Sequence, residues 1–475
     1  MTSTNVQVRA GRREWMGLGV LALPALLASL ELTVTHLALP SIAADLHPSG
    51  SQLLWIVDVY AFLLAGSLIT MGTLGDRIGR RRLLLIGAAL YGVASVLAAF
   101  ATGPGVLIAA RALMGIAGST LMPSVIALVA AMFKHPRQRG TAIGIVVASV
   151  SGGTALGPLV GGWLLDSFHW GAVFLIGVPI MAALLIAGPR LLPEYSAPGG
   201  KQLDPLSAVL SMAAILPGVY GLKHLAADGF AWQWPLIITG GVLMGVVFVV
   251  RQRRLPDPMI DLRLFSSRVF STASIALSLA IFVLWAVNYA IAQFLQLAHG
   301  LDPLTAGLWT APSALGTIAG SLLAPRLARR IAPGTVIAGG LTLAVAGFGV
   351  LIATGPLALL VTGSIIISAG LAPTMALATD LIIGAAPAER AGTAAAIAST
   401  APQLGGALGI ALLGSLITVT YRHQTSGAAE LTREALATPA ARDAFTDAFH
   451  LSAAVSGVLL LATATLTARH LSNSR

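Results

Sequence analysis

Ser29-Leu-Glu-Leu-Thr-Val-Thr-His-Leu-Ala-Leu-Pro40 closes an apolar run that begins near Trp15. At 1.5 Å rise per residue, a run of about 25 residues is long enough to cross a bilayer. Glu31 then lies inside hydrocarbon, roughly nine residues or ~13 Å from the far end of the helix. A carboxylate at that depth costs about 2.5–3.5 kcal/mol on insertion scales. Such groups mark an ion or substrate path, or else pair silently with a neighbouring helix.

The rest of the composition agrees with a membrane setting. Of 475 residues, 56% are hydrophobic and only 10% charged, against about a quarter in soluble domains. Mean hydropathy is +0.87. Cysteine is absent, which excludes disulfides, thiolate metal sites and cysteine nucleophiles. Arg9, Arg12 and Arg13 precede the first apolar run, which is too long for a signal peptide and lacks a small-residue cleavage site. It should remain as a span.

Hydropathy and punctuation predict an all-α integral membrane protein of fourteen spans. They fall near 15–39, 53–72, 83–102, 105–129, 140–165, 170–190, 205–222, 233–250, 269–297, 303–325, 334–354, 357–380, 392–420 and 448–468. The longest connection, Tyr421 to Asp447, is Ala-rich and polar and could form a helical hairpin. With the N-terminus inside, the outer segments hold only Lys223, Arg422, Arg433 and Arg442 of the 28 basic residues, and Arg111 lies within a span. That asymmetry puts both termini in the cytoplasm. The +10 net charge is therefore topology and not a nucleic-acid surface.

The chain also repeats itself. Pro136-Arg-Gln-Arg-Gly-Thr-Ala142 is echoed by Pro387-Ala-Glu-Arg-Ala-Gly-Thr-Ala394, and Leu74-Gly-Asp-Arg-Ile-Gly-Arg-Arg81 by Leu323-Ala-Pro-Arg-Leu-Ala-Arg-Arg330. Each pair holds the same ordinal place if spans 1–6 and 9–14 are equivalent halves. The expected organisation is a tail (1–14), a six-span bundle (15–190), a linker carrying two inserted spans (191–268), a second bundle (269–468, with outer loop 421–447) and a tail (469–475).

Several motifs carry chemistry. Asp76 and Arg77 stand where span 2 meets the cytoplasm, and Asp76 can accept hydrogen bonds from backbone and loop arginines. A charge network of this kind can latch one face of a transporter, although arginines there also serve topology alone. Gly153, Gly157 and Gly161 form a stripe without side chains that admits close helix approach, and Pro158 invites a kink. Gly405, Gly406 and Gly409 hold the equivalent place in span 13. This stripe suits an interface where two halves rock, or plain helix packing.

Glu31 and Asp58 are the acids well inside hydrocarbon. Trp55 and Phe62 flank Asp58 on its own helix face, a reasonable seat for a lipophilic cation by charge pairing and cation–π attraction, or else simple core packing. Arg111 lies at a similar depth, with Gly115 and Gly118 expected to leave room for its guanidinium. An arginine beside two acids would hold at least one of them ionised, in a functional site or a purely structural salt bridge. The nine histidines show no metal-ligand spacing and are expected in loops or near span ends. No nucleotide loop or hydrolytic triad appears in the sequence, so neither ATP-driven transport nor an enzyme is expected.

Gly72-Thr-Leu-Gly-Asp-Arg-Ile-Gly-Arg-Arg-Arg82 resembles the signature of the major facilitator superfamily, with Gly72, Asp76, Arg77, Gly79, Arg80 and Arg81 at its motif positions. Gly153-Thr-Ala-Leu-Gly157-Pro158-Leu-Val-Gly161-Gly162 resembles the fifth-span motif of its drug:proton antiporters. Leu30–Pro40, Leu54–Tyr60, Trp170–Pro179 and Asp257–Phe265 are similar to motifs of the fourteen-span branch. The resemblance covers nearly the whole chain, and is nearest to exporters of quaternary ammonium compounds, methyl viologen and dyes.

The resemblance implies two six-helix bundles plus two inserted helices, with parallel repeats about the membrane normal. It implies a monomeric exporter of lipophilic cations in a bacterial cytoplasmic membrane, driven by the proton gradient without a cofactor. Protons, small-molecule cations and lipids would be its partners, with no nucleic acid and no metal. Glu31, Asp58 and Arg111 would carry proton and substrate, and Trp55, Phe62, Trp285 and Tyr289 would line the cavity. A transporter of a neutral or anionic metabolite or antibiotic stays open as the alternative.

The chain departs from these relatives in places. Glu31 stands where Asp is common, His36 where Asn is frequent, Gly177 where Asn is usual, and Pro325 where the second-half loop carries an acid. Span 13 reads Ala396-Ile-Ala-Ser-Thr-Ala-Pro-Gln-Leu404 without a carboxylate. Monovalent cations are therefore expected to be favoured over divalent ones.

Overall fold

A computed structural model describes residues 9–195, 204–256, 258, 260–353, 357–387, 391–425, 436 and 438–471. Arg390, expected among the inner charges, and residues 426–435 and 437 of the 421–447 connection, expected as a possible hairpin, lie outside these residues. The described chain is helical. In order it forms α1 (Arg12–Leu46), α2 (Gly50–Ile78), α3 (Arg80–Ala99), α4 (Pro104–Gly118), α5 (Leu121–Met132), α6 (Pro136–Ser167), α7 (Ala172–Leu175), α8 (Gly177–Leu191), α9 (Pro205–Asp228) and α10 (Gln233–Arg254). A short 3-10 helix then leads to α11 (Arg268–Gln293), which runs on into one π turn. The remaining helices are α12 (Pro303–Thr310), α13 (Ser313–Ala328), α14 (Pro333–Ile352), α15 (Leu357–Gly384), α16 (Ala391–Gln424) and α17 (Pro439–Leu471).

Among the described residues, twelve helical segments are long and apolar enough to cross a membrane, or thirteen if the bent pair within α6 counts as one span. Fourteen were expected. The expected tenth span, 303–325, is broken at Ala311–Pro312 into α12 and α13, neither of which is long enough alone. Proline offers no donor to the preceding turn, which explains the break. At the other end, α17 begins at Pro439, so the last helix takes up part of what was expected to be an outer loop.

Two apolar cores follow the sequence halves. One is built mainly from residues 18–192, and the other mainly from 264–471. The first core recruits Tyr289, Ala407, Ile410 and Ala411 from the second half, and Leu37 joins the second core. The halves are thus stitched at one end. There Gly414 faces Leu54, Gln293 reaches the His36 carbonyl, and Gly162 abuts Leu304. The loop Arg77–Arg82 lies at the opposite end of α2.

The α9–α10 hairpin lies at the edge of the first core, adding only Val219 to it, with Ile215 and Leu216 packed alongside. It closes through Gly241, where a methyl group would stand 2.8 Å from the Ala214 carbonyl oxygen. At its base Asp204 caps α9, accepting from the Ser207 amide at 3.0 Å and pairing with Arg251 at 2.9 Å. Gln252 donates to Ser207 Oγ at 2.7 Å and accepts from the Ile260 amide at 3.1 Å, tying the hairpin to the chain that follows. The hairpin leans on α2 through Gly66 and Met212 and through rings of Trp55 and Tyr220, 6.0 Å between centroids. Its outer helix α10 buries only Gly241 and Gln252. A helix apolar all round with so little burial belongs against lipid.

Candidate functional site

Glu31 lies in the middle of α1, with Pro24 and Pro40 on either side in the same helix. Its carboxylate pairs with Arg111 of α4, and the two side chains are 4% and 1% exposed. Arg111 is held on three sides. Its Nε donates to the Ile56 carbonyl oxygen at 2.9 Å, and its guanidinium lies 4.5 Å above the Tyr60 ring and 5.7 Å from that of Phe174. The free edge therefore points at Glu31. One carboxylate oxygen of Glu31, Oε2, finds no hydrogen-bond partner among the described residues.

Asp58 is completely buried on α2, and its charge reaches Tyr289 of α11. The acids therefore face different company: Glu31 meets the first-half arginine, and Asp58 looks toward the second half. Phe62 is buried in the first-half core, whereas Trp55 turns to Tyr220 of the hairpin. Beyond Tyr220 the rings of His224 and Trp234 stack at 4.4 Å. Trp285 lies over Gly406 of α16, and Tyr289 is buried against the first half.

The packing decides two glycine expectations. Gly115 does not make room for the Arg111 guanidinium; a methyl group there would stand 2.5 Å from the Tyr60 carbonyl oxygen. Its bareness lets α4 close on α2, which is what delivers Arg111 to Tyr60 and Ile56. The stripe Gly153, Gly157 and Gly161 packs on α1, against Leu26 and Ser29, Thr33, and Val34. It is a joint within the first half. Contact with the second half comes from its neighbours: Gly162 against Leu304, at 2.6 Å from Cα for an added methyl group, and the Pro158 backbone against Gly307. Gly405 and Gly409 repeat the joint in the second half, against Ser278 and Phe282 of α11.

At the opposite end the α2–α3 turn passes through Gly79 at φ +105°, a conformation other residues rarely adopt. Asp76 pairs with Arg80 at 2.6 Å, and a methyl group on Gly75 would meet the Arg80 stem. Arg77 is exposed and Gly72 half-buried. Arg81 donates to the Leu192 carbonyl oxygen at 3.0 Å and lies 3.5 Å from the Glu194 carboxylate, whose Oε1 also accepts from the Arg81 amide. The charge network therefore runs from α2 to the end of α8.

Glu194 was not singled out from sequence, although it follows directly on the inner end of an apolar run and near Arg190. Tyr60 and Phe174 were also missed as site residues. Each falls within a quoted motif, but only the packing shows which ring faces the guanidinium. Gly177, odd in sequence, is explained by packing: a side chain there would crowd Ser95 and Tyr91 of α3, at 2.8 and 3.1 Å. His36 is buried and lies within α1, which continues beyond the expected span end near residue 39 to Leu46.

A family model described as Major Facilitator Superfamily matches residues 21–410. The chain is 42% identical over 429 residues to the multidrug efflux pump LfrA of Mycolicibacterium smegmatis, covering 90% of this chain and 85% of that one. It is 37% identical over 422 residues to the methyl viologen resistance protein SmvA of Salmonella typhimurium, covering 86% and 83%. Among solved structures, it resembles a bacterial homologue of the human lysosomal transporter Spinster in an inward-facing, unoccupied conformation. That match has a TM-score of 0.68 at 18% identity and covers 97% and 98% of the two chains.

Proposed function

Because this chain belongs to the Major Facilitator Superfamily, we propose that it is a proton-coupled antiporter exporting lipophilic, mainly monovalent cationic drugs, dyes and biocides by alternating access. The observation that carries this reading is the burial of Glu31 and Asp58, 3% and 0% exposed, with Glu31 paired to Arg111 inside the first half and Asp58 within electrostatic reach of Tyr289 of the second. A buried carboxylate without a cation is stabilised by a proton, and a cationic drug beside it stabilises the ionised form instead. Proton and drug compete for one charge, and that competition is coupling by linkage.

In this reading Asp58 and Glu31 bind proton and substrate, and Arg111 keeps one negative charge in place when the cavity is empty. Trp285 and Tyr289 offer ring faces from the second half, with Trp55 and Phe62 on the first. Gly72, Asp76, Arg77, Gly79, Arg80 and Arg81 form the cytoplasmic latch, and Pro158 with Gly162 closes the other face. The protein works as a monomer of two six-span bundles joined by the inserted hairpin, in a bacterial cytoplasmic membrane with both termini inside. The basic-residue asymmetry supports that orientation.

The absence of a carboxylate between Ala396 and Leu404 favours a second reading, a transporter of a neutral or anionic metabolite or antibiotic. One experiment separates them. Everted vesicles are acidified inside by respiration, then given ethidium. Cation-for-proton exchange collapses the acidification in the wild type and not in Glu31→Gln; a wild type that shows no proton response to the cation supports the second reading.

A further inference from the structure

His36 stands on α1 five residues beyond Glu31, about 7.5 Å farther along the axis toward the end where the halves meet. It is 2% exposed, and its Nε2 has no hydrogen-bond partner among the described residues. The ring sits edge-on to Tyr289 of α11, 5.7 Å between centroids, and Gln293 Nε2 approaches the His36 carbonyl oxygen at 3.5 Å. A ring able to carry a proton is thus clamped across the seam, with one nitrogen bare.

The charged and titratable groups around it are few. Glu31 lies on its own helix, and Arg111 of α4 acts on the ring with its positive field. Tyr289 faces it from α11, and Asp58 of α2 lies within electrostatic reach of Tyr289. Pro158, Gly161 and Gly162 of α6 bring no ionisable group to the seam. A buried polar group without a partner is costly, and a buried unpaired charge far more so. The imidazole therefore has a seat in the closed seam that the imidazolium lacks.

Resting on the antiporter reading above, we propose that His36 is a proton-relay residue at the outer seam. When the halves part on that side, Nε2 takes a proton from a hydronium ion or water of the outer medium. When they close, the N–H bond breaks and an O–H bond forms on Glu31 or Asp58, through water in the narrowing seam, and the imidazole is neutral again. Closure is thereby tied to delivery: the seam shuts tightly only after the proton has moved inward. An Asn at this position fills similar space but relays nothing.

The test uses efflux-deficient cells expressing the full chain, preloaded with ethidium, and measures efflux rate against external pH for the wild type and His36→Asn. The ratio of the two rates at each pH removes the change in driving force. A relay predicts a variant about tenfold slower near pH 8, where direct protonation of a carboxylate from water is rare, and nearly equal near pH 5.5. Ethidium counterflow, which needs no net proton movement, stays within about twofold of wild type at every pH. If His36→Asn does not accumulate, His36→Gln is read in the same way. A rate ratio that is flat across pH, whatever its height, overturns the relay and leaves a packing role. A wild type without any cation-linked proton movement overturns the antiporter reading instead, and the two failures are distinct.

Discussion

The Arg111 guanidinium closes on the Glu31 carboxylate between α4 and α1, while its Nε is anchored 2.9 Å from the Ile56 carbonyl oxygen of α2. Three helices of the first half are therefore tied at one buried point. Removing one partner of a buried pair strands the other charge, which costs about 3–5 kcal/mol. Arg111→Ala should lower stability by that amount, measured by thermal unfolding of the purified protein. Glu31→Gln, which keeps shape and a hydrogen-bonding oxygen, should cost less. The double variant Glu31→Gln/Arg111→Ala should cost less than the sum of the two single losses; strict additivity would count against direct coupling.

Gly115 carries the second prediction. A methyl group there would stand 2.5 Å from the Tyr60 carbonyl oxygen, so α4 must move away from α2. Overpacking of this kind costs about 1–3 kcal/mol. The same shift draws Arg111 away from Ile56 and Tyr60, so Gly115→Ala should lose transport as well as stability. Gly105→Ala, where nothing lies within 4 Å, is the matched control and should change neither.

The first half was largely legible in sequence because its chemistry is local or costly. Glu31, Asp58 and Arg111 stand out since ionisable groups are expensive in hydrocarbon, and their similar depth follows from helix rise alone. What sequence could not supply is rotation about each helix axis. The small-residue stripe of α6 could be recognised, but not that Gly153, Gly157 and Gly161 meet α1 while Gly162 meets Leu304. Nor could it show that the Trp55 ring lies beside Tyr220 of the hairpin, 6.0 Å between centroids. The break at Ala311–Pro312 was not legible because hydropathy registers composition and not backbone continuity, and other prolines, Pro24, Pro40 and Pro373, lie inside unbroken helices.

The base of the hairpin gives a pH prediction. Burial acts to raise the Asp204 carboxyl, but donation from the Ser207 side chain and amide and the Arg251 guanidinium outweigh it and hold the group below the usual carboxylate range. A depressed folded-state value means stability that is fully present above the unfolded value of about 3.9 and lost as pH falls through the folded one. The α9–α10 hairpin should therefore loosen only in strong acid. Hydrogen exchange in Pro205–Asp228 should rise below about pH 4 in the wild type. In Asp204→Asn it should already be raised at neutral pH, with little further change on acidification.

Gly162 gives the prediction that bears most directly on the transport cycle. A methyl group at this position would stand 2.6 Å from the Leu304 Cα and 3.0 Å from the Pro303 carbonyl oxygen, both backbone atoms that cannot swing aside. These contacts exist only while the halves meet at that end, so a larger residue penalises the closed seam and leaves the parted one untouched. A differential cost of about 1–3 kcal/mol shifts the equilibrium between them roughly 5- to 150-fold. The chain contains no cysteine, so a single reporter thiol can be introduced without background. Leu304→Cys should be slow to react with a membrane-impermeant maleimide added outside, and should react much faster in the Gly162→Leu background. Gly152→Leu, on the same helix with open space around it, should leave the labelling rate unchanged. Equal labelling of Leu304→Cys in all three backgrounds would show that the α6–α12 contact does not govern opening on that side.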